Sequence, residues 1–395
     1  MTNTNNQILE GSRAIALTIK KIRPGVISAY PITPQTHIVE DLSQFKADGE
    51  VDYEYVRAES EFAAASIVEG ASATGVRVYT ATSSQGLLLM TEVLYNIAGM
   101  RLPVVLTCAN RGVSAPITIW NDHQDSVTMR DAGWIQFYAE NHQEAVEQHI
   151  IAYKVAEQLG LPAMVNIDGF VLTHSYESVR IPSEADIKKF LPDYKPKKNG
   201  YLDPANPKTM GAFATPAHYM EIRQALHDDM VDALKVIIGE YQAYREIISD
   251  SAPFSTSKQL MDNGLLEYHG PKKAKTIIIA LGSVAGTIKE AFERSNNVGV
   301  LKLKVMRPFP EQHVLDIIEQ VKPQNIAVIE KAISLGAEGP LAMDIKTALY
   351  GKTKAKVQSF IAGLGGRDIT KSMIKKIARD IEKEDDEVKF VGSVN

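Results

Sequence analysis

Only one cysteine, Cys108, stands among the 395 residues. No disulfide can form within such a chain, which fits a reducing compartment. Nor can it supply the several thiolates that an iron–sulfur cluster takes, so the metal centres of any redox chemistry it serves lie on other polypeptides. Cys108 sits in the strand-like run Pro103-Val-Val-Leu-Thr-Cys-Ala109 and reads as an inert buried thiol. No apolar run reaches the ~18 residues of a membrane span. The polar start Met1-Thr-Asn-Thr-Asn-Asn-Gln7 lacks a signal-peptide core, so a cytoplasmic location without membrane partners is expected. Basic excess is missing as well. The 43 Lys and Arg against 48 Asp and Glu give a net charge of −5, which argues against nucleic acid as a main partner. There is no Walker A pattern, no paired-cysteine zinc motif and no His-Glu-x-x-His, and no metal ligand is assigned.

What the chain does contain is α/β alternation. Strands are expected at Val26–Tyr30, Tyr53–Val56, Val76–Ala81, Val104–Cys108, Ile135–Ala139 and Ala163–Ile167. Helical patterns lie between them at Thr36–Phe45, Ser60–Ala73, Leu87–Ala98 and Gln143–Leu159, which predicts a mostly parallel sheet with helices on both faces. From Leu191 to Pro216, prolines among Lys and Gly mark irregular linking chain. A packing helix over about 217–249 follows, with Met220, Arg223, Leu226, Met230, Leu234, Ile237 and Tyr241 on one face. A second α/β unit begins at Lys275, with strands Thr276–Leu281, Gly299–Val305, Asn325–Glu330 and Val357–Ala362 and a helix at Thr287–Arg294. The tail helix from Met373 ends in the acidic run Glu382–Glu387, read as a solvated end. The domain division expected is 1–250 and 251–395.

Candidate chemistry gathers at strand-to-helix junctions, where ligands sit in parallel sheets. Ser28-Ala-Tyr-Pro-Ile-Thr-Pro-Gln35 ends a strand in a turn that offers the Thr33 hydroxyl. Arg57-Ala-Glu-Ser-Glu-Phe-Ala-Ala-Ala65 opens a small-residue helix with a carboxylate at Glu61, and Arg111 follows the strand through Cys108. Each has a plainer reading: Glu61 complementing a helix dipole, Thr33 capping a helix, Arg111 a surface cation. Asn121-Asp-His-Gln-Asp125 clusters polar groups that read as a hydrogen-bonded loop rather than a complete metal site. Gly282-Ser-Val-Ala-Gly286 and Ala362-Gly-Leu-Gly-Gly-Arg367 follow strands, so their N–H groups offer anion sites, although tight turns explain both.

Taken together, several segments resemble the alpha subunit of the multi-subunit pyruvate:ferredoxin oxidoreductases. They are Tyr30-Pro-Ile-Thr-Pro34, Glu59-Ser-Glu61, Ala81-Thr-Ser-Ser-Gln-Gly-Leu-Leu-Leu-Met90, Asn110-Arg111 and Ser114-Ala-Pro116. Ile119-Trp-Asn-Asp-His-Gln-Asp-Ser126, Gly133-Trp-Ile-Gln136, Asp168-Gly-Phe170 with Thr173-His174, and Arg307-Pro-Phe-Pro310 continue the likeness. The resemblance spans most of the chain and is more specific in the first half. It implies a transketolase-like pyrimidine-binding domain followed by a transketolase C-terminal-like α/β domain. It also implies a thiamine-diphosphate enzyme that interconverts pyruvate, CoA and oxidised ferredoxin with acetyl-CoA, CO2 and reduced ferredoxin.

Roles follow from the same resemblance. Glu61 is expected to hydrogen-bond the aminopyrimidine and favour its imino tautomer, which takes the proton from thiazolium C2. Arg111 and Thr33 would hold the substrate carboxylate, with a small hydroxyl at position 33 suiting a monocarboxylate. Pro31, Ile32, Ser84 and Gln85 would line the cofactor, and Asn121, Asp122, His123, Gln124 and Asp125 the mouth of the active site. The beta subunit would hold the diphosphate and Mg2+, since this chain has no Gly-Asp-Gly with a downstream Asn pair. The 4Fe–4S clusters would lie on the beta and delta subunits, and a gamma subunit would help bind CoA. The alternatives are a subunit acting on 2-oxoglutarate or a branched 2-oxo acid, a non-catalytic scaffold, or a self-sufficient thiamine enzyme. The missing diphosphate motif counts against the last.

Overall fold

A computed structural model describes residues 6–198, 200–248, 259–383 and 388–394. In chain order the first half forms strands β1 (Gln7–Glu10), β2 (Val26–Ala29), β3 (Glu54–Arg57), β4 (Val78–Thr82), β5 (Val105–Asn110), β6 (Ile135–Tyr138), β7 (Ala163–Asp168) and β8 (Tyr176–Val179). The second half forms β9 (Gln259–Asp262), β10 (Leu266–His269), β11 (Thr276–Leu281), β12 (Val298–Leu303), β13 (Val305–Arg307), β14 (Asn325–Glu330), β15 (Lys356–Ala362) and β16 (Lys389–Val391).

The first large sheet has the order β13-β6-β7-β5-β4-β2-β3, parallel throughout except for β13. Period-two alternation along its central strands sends side chains to two cores. Tyr79 and Val105 pack with Ile15, Ile38 and Tyr153 on one face, whereas Val78 and Leu106 pack with Val68, Leu94 and Trp134 on the other. Cys108 lies wholly buried in the second of these cores, and burial pushes its thiol well up, as an inert cysteine requires.

The second sheet, β16-β15-β14-β11-β12-β10-β9, is parallel from β16 to β12 and antiparallel at β10 and β9. β11, Thr-Ile-Ile-Ile-Ala-Leu, is buried along its full length because helices cover both faces. The run read as one strand, Gly299–Val305, divides. β12 stays in the second sheet, while β13 turns away and pairs with β6 at the edge of the first.

Other expectations shift in the same way. Leu87–Ala98 forms two helices, Ser84–Leu89 and Thr91–Gly99. The long helix runs over Pro216–Ile247, but Met220 is exposed because its first turns project beyond the core; burial begins at Leu226 and includes Ala233 and Tyr244. The helix Gly11–Ile22 and the two-stranded ribbon β1–β8 were not expected. Residues 384–387 of the acidic run lie outside the described residues.

An ionic seam joins the halves. Lys302 Nζ lies 2.5 Å from Glu140, 3.1 Å from Glu144 and 2.8 Å from Glu267, while Lys304 Nζ contacts Asp262 at 3.0 Å. Burial alone would raise the Glu144 carboxyl, but Lys302 and Lys304 outweigh it and pull it down to about 2.

Candidate active site

β2 is where the strand order reverses: the chain passes from it to β3 on one side and to β4 on the other. β2 and β4 pair only at Val26–Val78 and Ile27–Tyr79, then part toward their carboxyl ends. Gln35 bridges the gap, its Nε2 donating to the carbonyls of Tyr30 (2.9 Å) and Ala81 (3.0 Å). Crevices at such reversal points are the usual ligand sites of open α/β sheets.

Glu61 stands at this crevice as the first residue of the helix Glu61–Ala73, which starts here because Ser60 Oγ caps it by accepting the Ala63 N–H at 3.1 Å. Only 7 % of Glu61 is exposed. Gly86, after β4, faces it so closely that a Cβ there would lie 2.7 Å from Glu61 Oε1 and 2.4 Å from Thr82 Oγ1. The buried hydroxyls of Thr82 and Ser83 have no hydrogen-bond partner among the described residues. A carboxylate near the unsatisfied Thr82 hydroxyl, on a wall kept flat by glycine, fits the polar edge of a planar heterocycle.

Arg111 lies across β5 and is also buried. Its Nε donates to the Thr118 carbonyl (2.7 Å) and Nη1 to the Thr33 carbonyl (2.9 Å), while Nη2 makes no hydrogen bond among the described residues. Desolvation draws the guanidinium below its ordinary value, opposed by Asp125. Thr33 is exposed on its turn, and its carbonyl rather than its hydroxyl is the group that Arg111 holds.

Asp125 organises both neighbouring loops. One carboxylate oxygen accepts the N–H groups of Ser84 (2.9 Å) and Arg111 (3.0 Å); the other accepts Asn110 Nδ2 (2.9 Å) and the Ser126 N–H (2.7 Å). Burial raises this carboxyl despite those donors. Ser84, held at a φ of 50°, turns its Oγ to the Gly112 carbonyl at 2.7 Å, and Gln85 bonds the Ser114 hydroxyl.

The rest of the loop looks toward the second half of the chain. His123 Nε2 lies 2.5 Å from Asp168 Oδ1, and Asn121 Nδ2 donates to the same oxygen at 3.2 Å. Lys331 Nζ reaches Asp168 Oδ2 (2.7 Å) and Asn121 Oδ1 (2.9 Å). Gln124 Oε1 accepts the Ile333 N–H at 3.1 Å. Burial would raise Asp168, but Lys331 and His123 hold it well below the usual carboxylate range.

Both glycine-rich turns spend N–H groups on carboxylates of this chain: Ser283 N donates to Asp168 (3.0 Å) and Gly365 N to Asp122 (3.1 Å). Burial lifts Asp122 to about 6. The structure therefore gathers Glu61, Thr33, Ser84, Gln85, Arg111 and Asp125 around the crevice. It bonds Asn121–Gln124 to Asp168, Lys331, Ile333 and Gly365. Pro31 lines a neighbouring cavity, and the Ile32 carbonyl accepts the Gln35 N–H. The sequence alone gives Gly86, Gln35, Lys331 and Ser283 no role, although all but Lys331 lie in segments that stand out there.

With this geometry in view, comparisons with known proteins agree along the chain. Residues 18–242 match the family model described as pyruvate flavodoxin/ferredoxin oxidoreductase, thiamine diphosphate-binding. Residues 274–374 match pyruvate:ferredoxin oxidoreductase core domain II. The chain belongs to the pyruvate:ferredoxin oxidoreductase family. It is 45% identical to the pyruvate synthase subunit PorA of Methanocaldococcus jannaschii, over 98% of this chain and 97% of that one. Against PorA of Methanosarcina barkeri the figure is 44%, over 95% and 92%. The ketoisovalerate oxidoreductase subunit VorA of Pyrococcus abyssi is 41% identical, over 95% and 93%. Among solved structures, the 2-oxoglutarate:ferredoxin oxidoreductase of Magnetococcus marinus superposes with a TM-score of 0.72 at 19% identity. That match covers 96% of this chain and 66% of the solved one, and it supports the fold.

Proposed function

We propose that this chain is the alpha subunit of a thiamine-diphosphate-dependent pyruvate:ferredoxin oxidoreductase, the subunit that activates the cofactor and grips the substrate. Identity to pyruvate synthase subunits reaches 45%, against 40% and 41% to two ketoisovalerate oxidoreductase subunits, which favours pyruvate. The observation that carries the reading is Glu61, a buried carboxylate against Gly86 at the reversal point of the sheet.

Thiamine diphosphate, when bound, supplies the carbanion chemistry that splits or builds the 2-oxo acid. In this chain Glu61 would accept or share the proton at a pyrimidine ring nitrogen, in a setting where burial strengthens that bond. The Thr82 hydroxyl, packed like Glu61 against Gly86, would adjoin the same ring edge. Ser84, Gln85, Pro31 and Ile32 would shape the adjoining wall. The free Nη2 of Arg111 would take a substrate carboxylate oxygen, with the other two nitrogens fixing its plane. Thr33 adds a small neutral contact there, which suits a monocarboxylate.

The remaining parts would come from partners. A beta subunit would hold the diphosphate with Mg2+, the clusters would lie on beta and delta subunits, and a gamma subunit would help place CoA. Ferredoxin would meet the assembly rather than this chain alone. No helix among the described residues is long and apolar enough to cross a membrane; a cytoplasmic setting is part of the same proposal. The division into a cofactor domain over 1–250 and a second domain over 251–395 belongs to the same reading.

Glu61→Gln in the assembled complex tests it. Pyruvate turnover should fall by about 10²–10⁴-fold, the range for a lost acid–base group, while the complex elutes intact on size exclusion. Near-normal turnover would refute the role and favour a scaffold. Competition between pyruvate and branched or dicarboxylic 2-oxo acids checks the substrate, and preference for a larger acid would displace pyruvate.

A further inference from the structure

Glu10, His37 and His174 meet outside the crevice. Glu10 ends β1, His37 is the second residue of the helix Thr36–Ala47, and His174 lies in the turns after β7. One donor atom from each lies within 4.8 Å of the other two, and no other group of three such donors is this close among the described residues. Three separate chain segments thus converge through groups that bind metals.

Their local bonds favour the ligand role. His37 Nδ1 stands 2.7 Å from Glu10 Oε1. His174 Nδ1 is 2.7 Å from Thr173 Oγ1, an oxygen that also accepts the Phe170 N–H at 2.8 Å. With Nδ1–H donating to that hydroxyl, Nε2 of His174 keeps its lone pair, the second-sphere arrangement usual for metal-binding imidazoles. The two rings lie 4.6 Å apart between centroids, tilted by 38°. A plain ion pair would need only His37 and Glu10, whereas His174 is independently held beside them by Thr173.

We propose that Glu10, His37 and His174 form a site for one divalent ion of the zinc class, its remaining positions open to water. Two imidazoles and a carboxylate suit Zn2+, Co2+ or Ni2+, whereas Mg2+ and Ca2+ prefer all-oxygen sets. Glu10 and His37 also line a cavity of about 890 Å³ that runs past Tyr30 and Pro31, which gives an ion its entry path. A bound ion would staple β1, the helix after β2 and the turn after β7. An aromatic chain carries this toward the crevice: His174 packs on Phe170 at 4.6 Å, and Phe170 on Trp120, beside Asn121, at 4.5 Å.

The full chain, stripped with a chelator, is titrated with Zn2+ by calorimetry and with Co2+ by tryptophan fluorescence. The expected result is one equivalent of Zn2+, bound at least tenfold more weakly by His37→Gln and by His174→Ala, with Mg2+ unable to compete. Co2+ should quench emission in the wild-type chain, and Trp120→Phe should lose most of that response. Absence of saturable one-equivalent binding, displacement by Mg2+, or unchanged affinity in His37→Gln and His174→Ala would overturn the site. Should His174→Ala fail to fold, His37→Gln, on an exposed ring, decides alone.

Discussion

Lys331 Nζ stands 2.7 Å from Asp168 Oδ2, a buried ion pair between residues 163 apart in the chain. It ties the end of β7 to the end of β14, and His123, Asn121 and Ser283 converge on the same carboxylate. Lys331→Met should strand that charge and cost about 3–5 kcal/mol, the usual penalty for breaking a buried pair. Equilibrium denaturation measures it, and a loss under 1 kcal/mol, the scale of an exposed pair, would contradict the account.

Gly86 owes its identity to Glu61 and Thr82. Gly86→Ala would place a methyl group 2.7 Å from the carboxylate and 2.4 Å from the hydroxyl, both inside van der Waals contact. Overpacking of this kind costs about 1–3 kcal/mol. We expect turnover to drop at least tenfold through displacement of Glu61, together with weaker thiamine diphosphate binding in a titration of the apo complex. Unchanged affinity and rate would show that the carboxylate can move without consequence.

Asp125→Asn replaces one oxygen by an NH2 group facing two N–H donors. Each buried donor left unmatched costs about 1–3 kcal/mol. Because those donors include the backbone of Ser84 and Arg111, the KM for pyruvate should rise along with the loss of stability. Saturation kinetics on a variant confirmed as folded by circular dichroism make the comparison; a stability loss with an unaltered KM would limit Asp125 to the fold.

Acid sensitivity follows from the seam. Glu144 is held at about 2, below its unfolded value of 4.5, so its stabilisation is complete above the higher figure and disappears as pH falls toward the lower. Glu144→Gln should flatten the stability profile between those two pH values while lowering the neutral plateau. A profile as steep as that of the wild type would assign the acid transition to other carboxylates.

The sequence made some of this plain and hid the rest. β-branched runs such as Thr276–Leu281 and Asn325–Glu330 declare buried strands by themselves, and their limits agree with the structure. Glu61, Thr33 and Arg111 stood out because each lies within four residues of the carboxyl end of a strand. The helix Gly11–Ile22 was missed: glycine opens it, and Thr18 interrupts its apolar face, yet the Thr18 hydroxyl is satisfied by the Ala14 carbonyl at 2.8 Å. β1 and β8 are four residues each, and the pairing that makes them strands lies far along the chain. Nothing local marks Lys331 or Ser283 as partners of Asp168. The glycine turns looked like anion sites and do hold anions, but those anions are aspartates of the other half.

One consequence of β13 concerns how the chain can be divided. Val305 and Arg307 close the flank of the first sheet by pairing with Phe137 and Gln136. A fragment ending with the helix Pro216–Ile247 would lose that cover and leave Ile135–Tyr138 as a bare rim of unpaired amides, the kind of edge that recruits foreign strands. The amino-terminal fragment should therefore self-associate when made alone, and its solubility should return when the carboxyl-terminal piece is supplied in trans.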